Sequence, residues 1–217
     1  MLGIWLRTAA VLATSLALQV SGALAQAEST VQQLLLELQY QPSSDQAEIQ
    51  LLNLARGDAR ARQYLVTHLP RLIEADPRRT QKYLEAHPGQ TLLSPTWCNE
   101  VQLAEQLKMV EAAQALGKWI ALSTSPELDL GSHGAALEDS PAGRALVQIG
   151  DPSIRVLKSL LSDADKSRRS HAAYALIAID SPKSRAVLSS YVSTGRDREL
   201  AEYIRQTLGF EKLYEAK

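Results

Sequence analysis

The sequence predicts an all-helical protein whose helices pair into stacked hairpins, an α-solenoid. Three observations lead there. Residues 145–152 read ALVQIGDP and residues 175–182 read ALIAIDSP, nearly the same letters thirty positions apart. Apolar residues recur almost everywhere at the three- and four-residue spacing of one helical face, and sustained strand-like alternation is absent. Leu and Ala dominate the apolar set while Phe occurs once, a composition suited to close helix–helix packing.

The chain opens with Arg7, an apolar run from Thr8 to Val20, and small residues in Ala23-Leu24-Ala25. That order predicts a leader peptide at 1–25, cleaved after Ala25, and hence export to the periplasm or the extracellular medium. The run is shorter than the roughly 20 residues a membrane-spanning helix needs. No later stretch approaches that length, so no membrane span is expected once the leader is removed.

Helical signals then follow one another. Ser29 to Tyr40 places Val31, Leu34, Leu35 and Leu38 on one stripe, and Gln41-Pro42-Ser43-Ser44 ends it. Ser44 or Asp45 can cap a second helix to Arg56. Asp58 caps a third through Leu65, Leu69, Leu72 and Ile73, with Pro70 as a kink or boundary. Pro77 is placed to open a separate short helix to Ala86, stopped by His87-Pro88-Gly89. These hairpins, residues 26–92, form an N-terminal region. Residues 93–217 form the repeat domain, starting at Ser94-Pro95 with a helical tract from Thr96 to about Leu122 that breaks near Lys108. The stretch 123–140, rich in Ser, Gly and Asp, reads as an irregular loop.

The repeat lies beyond it. Ala142, Ala145, Leu146, Ile149 and Gly150 return as Ala172, Ala175, Leu176, Ile179 and Asp180, then as Ala201, Ile204, Leu208 and Gly209. A fainter copy reads Ala112, Ala115, Leu116 and Trp119. Between copies, Ser153–Leu161 and Lys183–Val192 form the partner helices, opened by Asp151-Pro152 and Ser181-Pro182. Such a hairpin cannot bury both its faces alone, so neighbours must stack.

The segments AGRALVQIGDPSIRVLKSLL and RRSHAAYALIAIDSPKSRAVLSSYV, with Asp165 near a turn and Arg168 or Arg169 opening a helix, resemble HEAT repeats. The resemblance is to the short HEAT-like type also seen in phycobilisome lyases. It is clear over 141–209 and weak over 97–122. It implies an armadillo-type superhelix that binds a protein partner, and, through the lyase branch, an enzymatic alternative.

Composition narrows the function. The formal net charge is −1, becoming −2 when Arg7 leaves with the leader, so neither nucleic acid nor an anionic membrane is an expected partner. The basic cluster Arg56, Arg60, Arg62, Arg71, Arg78, Arg79 and Lys82 is interleaved with Asp58, Glu74 and Asp76 and reads as a solvated surface. Cys98 is the single cysteine, which excludes a disulfide within the chain. His68, His87, His133, His171 and Cys98 show no metal-ligand spacing, and no phosphate loop or dinucleotide fingerprint occurs, so no metal or cofactor is expected.

Two sites compete. Two residues after the first core Ala of each copy stand Gln114, Arg144, Tyr174 and Tyr203, a candidate binding ladder on the concave row of helices. The alternative role of its tyrosines is to cover the seam between repeats. The rival site is Cys98, near a helix N-terminus that favours a thiolate, with His133 of the 123–140 loop as base. It would make the protein an enzyme or small-ligand binder; otherwise Cys98 is a half-buried thiol beside Trp97. The Asp165, Arg168 and Arg169 set is expected to tie one hairpin to the next.

Overall fold

A computed structural model describes residues 26, 28–38, 45–86, 93–123, 137, 139–194 and 197–209. The expected leader at 1–25 lies outside them, as do His87, His133 and the greater part of the 123–140 loop. Every regular element among the described residues is helical, and none is a strand. No helix among them is long and apolar enough to cross a membrane. The chain forms two compact units, one ending at Thr67 and the other beginning at His68.

In the first unit, α1 (28–38) buries the predicted stripe Val31, Leu34, Leu35 and Leu38. Helix α2 (Asp45–Gly57) buries Ala47, Leu51, Leu52 and Ala55. Asp58 then starts α3 (Ala59–Ala86), its Oδ1 accepting from the Arg60 amide at 2.7 Å and the Ala61 amide at 3.4 Å. These bonds satisfy donors that a helix start leaves without intrahelical partners.

Helix α3 corrects the sequence reading. Its 28 residues run through both Pro70 and Pro77, so no helix ends at the first and none begins at the second. A proline inside a helix removes one amide donor and crowds the carbonyl four residues back, at a cost of about 3 kcal/mol. Around Pro70 that cost is offset because its neighbours Leu69 and Ile73 are fully buried. Burying such a side chain contributes about 1.5–3 kcal/mol.

In the second unit, Ser94 caps α4 (Pro95–Gln106), with Pro95 in the first turn. Trp97 is buried there, and its indole Nε1 donates to the Ile73 carbonyl at 3.0 Å. The break near Lys108 is present and has a specific form. The Lys108 amide donates to the Glu105 carbonyl and the Met109 amide to the Ala104 carbonyl, both at 3.0 Å. This is a Schellman motif, with Lys108 at φ 47° in the left-handed position usually taken by glycine. A 3-10 turn (Val110–Ala112) leads into the short α5 (Ala113–Lys118).

Ser140 then does two jobs from a fully buried position. Its Oγ accepts from the Gly143 amide at 3.0 Å, capping α6 (Pro141–Ile149), and donates to the Ile120 carbonyl at 2.6 Å. The start of α6 is thereby fastened to the chain just after α5. A 3-10 turn (Asp151–Ser153) precedes α7 (Ile154–Leu160), followed by α8 (Lys166–Ile179), α9 (Pro182–Thr194) and α10 (Arg198–Leu208). Helix α6 packs against α4, α5 and α8, and α8 packs in turn against α7, α9 and α10. Helix α7 also meets α5 and α9. At Gly117 of α5 a β-carbon would stand 2.6 Å from Val156 Cγ1 of α7, so only glycine permits this approach.

The repeated letters occupy equivalent environments. Ala142, Ala145 and Leu146 are buried, as are Ala172, Ala175 and Leu176, and Ala112, Ala115 and Leu116; Ala201 and Ile204 follow suit on α10. The last letter of each clear copy has its own backbone role. Gly150, Asp180 and Gly209 all have positive φ, at 76°, 47° and 63°. Each ends a helix by turning the chain through a conformation that side chains with a β-carbon resist, although Asp tolerates it better than most residues.

Candidate functional site

The four ladder positions lie one on each of α5, α6, α8 and α10, but they are not equally open. Gln114 and Arg144 are exposed, Tyr203 is half-buried, and Tyr174 is only 9 % exposed. The Tyr174 and Tyr203 rings meet edge to face, with centroids 5.4 Å apart and planes at 80°. A ladder of four free side chains is therefore not what the helices present. Tyr174 serves the packing of α10 on α8, the seam role named as the alternative for these tyrosines. The physical reason is length: the side chain reaches the neighbouring helix, where an edge-to-face pair adds about 0.5–1.5 kcal/mol to area burial.

His171 lies one turn before Tyr174, buried, with ring centroids 6.2 Å apart. Its Nδ1 stands 2.8 Å from the Ser167 carbonyl. A carbonyl only accepts, so Nδ1 carries a proton and the ring is held as a structural donor. Arg144 faces a carboxylate across α4 and α6. Burial pushes the Glu105 carboxyl above its ordinary value, and the Arg144 charge partly counters it.

A polar edge joins α8 to α10, and sequence reading found only half of it. Asp165, expected with Arg168 and Arg169 to tie one hairpin to the next, caps α8: its Oδ1 accepts from the Ser167 amide at 2.8 Å and the Arg168 amide at 3.3 Å. The carboxylates that meet the arginines are Asp163, 2.8 Å from Arg168 Nη1, and Asp197, 3.1 Å from Arg169 Nη2. Arg169 Nη1 also donates to the carbonyls of Asp163 and Ala164 at 2.9 and 2.8 Å. Arg168 Nη2 reaches the Gly117 carbonyl at 3.4 Å. The expected tie between hairpins is thus made by the arginines, through different acids. Burial would raise the Asp197 carboxyl, but the Leu200 amide and the Arg169 guanidinium outweigh it and hold the group below its ordinary value. Burial, then the Asp197 charge, pushes the neighbouring Tyr191 hydroxyl up. Lys166 and Glu199 pair at 2.8 Å on the exposed rim. Asp197 carried no signal except its place before an apolar-periodic run, where a cap belongs.

Cys98 lies in the first turns of α4 and is half-buried, its amide donating to the Ser94 carbonyl at 3.1 Å. The proposed base His133 and its loop lie outside the described residues. Among the described residues no group of three or more His, Cys, Asp or Glu side chains is placed to hold a metal ion. These features define an all-helical protein with an arginine–aspartate edge joining α8 to α10. No family model, no curated protein and no solved structure matches the chain.

Proposed function

We propose that the chain is an exported helical-repeat protein of HEAT-like type, a non-enzymatic scaffold that binds a protein partner. The observation that carries this reading is the order of packing. Helix α6 packs against α8 and α8 against α10, while α7 packs against α9, the contacts that a stack of successive repeat copies would make. Stacked helical hairpins leave one row of helices free for a partner. Gln114 and Arg144, both exposed, with half-buried Tyr203 beyond them, are the contact residues of that row. Arg and Tyr are among the side chains most enriched at binding hot spots. The expected leader at 1–25 and the resemblance over 141–209 support export and the repeat class.

Affinity capture from envelope extract and culture medium tests the proposal, using wild-type chain beside Arg144→Glu, Tyr203→Ala and Cys98→Ala. The expected result is a protein retained by wild type and by Cys98→Ala, and lost with either face variant. Retention by both face variants overturns the assignment of the face. Loss with Cys98→Ala alone favours the enzyme or small-ligand reading built on Cys98 and the 123–140 loop.

A further inference from the structure

We draw no further inference here: the strongest candidate, the groove of about 410 Å³ between the start of α1 and the end of α2, lined by Thr30, Gln50, Asn53, Leu54, Gly57 and Asp58, carries nothing because its polar lining is largely exposed, Thr30 and Asp58 already bond the backbone, and nothing in the structure shows what covers it.

Discussion

Arg169 and Asp197 stand 28 residues apart in sequence and 3.1 Å apart in space, and their contact joins the first turn of α8 to the cap of α10. Both side chains are largely buried, at 19 % and 13 % exposure. Asp197 also accepts from the Leu200 amide at 3.1 Å, so one carboxylate caps a helix and holds its neighbour. Asp197→Ala removes both interactions and is expected to cost about 2 kcal/mol in urea unfolding. Asp197→Asn keeps an acceptor for the cap and should cost less. The carboxyl is held below its ordinary value in the folded chain. Its stabilisation is therefore complete above the ordinary aspartate range and is lost as pH falls through the folded value. The gap between wild type and Asp197→Asn should be widest at neutral pH, begin to narrow below about pH 4 and vanish only below the folded value. A gap unchanged with pH would show that the charge plays no part.

Tyr174 and Tyr203 should behave as a pair of unequal members. Tyr174→Ala empties a buried site and is expected to cost about 3 kcal/mol. Tyr203→Ala, from a half-buried site, should cost about 1 kcal/mol. A double-mutant cycle should return a coupling of about 0.5–1.5 kcal/mol, the worth of the edge-to-face contact. Additive losses would show that the rings do not support each other in solution.

Lys108 is, among the described residues, the one place where a long side chain occupies the glycine position of a helix-ending motif. Lys108→Gly relieves the left-handed strain at an exposed site and should stabilise the chain by roughly 0.5–1 kcal/mol. Thermal or urea unfolding of the single variant decides it, and a loss of stability would mean that the lysine stem contributes packing along α4.

Glu105 offers a pH dependence of the opposite sign. Burial, only partly countered by Arg144, raises its carboxyl above the ordinary value. The folded chain then favours the protonated form, so this contribution is fully present below the ordinary glutamate value and is lost as pH rises through the folded one. Glu105→Gln should raise the melting temperature slightly at pH 7 and leave it unchanged at pH 3. A variant less stable at pH 7 would show that the Arg144 attraction outweighs the burial.

Much of the fold was legible because each helix writes its own face. The stripe of α1, the caps Asp58 and Ser94, and the break at Lys108 are local, set within a turn or two by hydrogen bonds and periodicity. Pro70 and Pro77 misled because proline's local cost is the same wherever it stands, whereas the burial of Leu69 and Ile73 that offsets it around Pro70 comes from tertiary packing. The candidate face was legible as a set of positions and not as a surface. Nothing in the letters around Tyr174 says that Tyr203 will cover it.

The sequence by itself determined that this is a chain of helices, where most of them begin and end, and which residues recur with the same duty. Gly150, Asp180 and Gly209 show how far that reaches: three letters in register became three helix ends at positive φ. Only the tertiary structure decided the partners. Asp197 rather than Asp165 meets Arg169, Gly117 admits Val156, and Ser140 holds the Ile120 carbonyl. Periodicity is a property of one helix and can be read along a line. A contact between helices depends on where both lie in three dimensions, and small differences in side-chain reach then choose which groups meet.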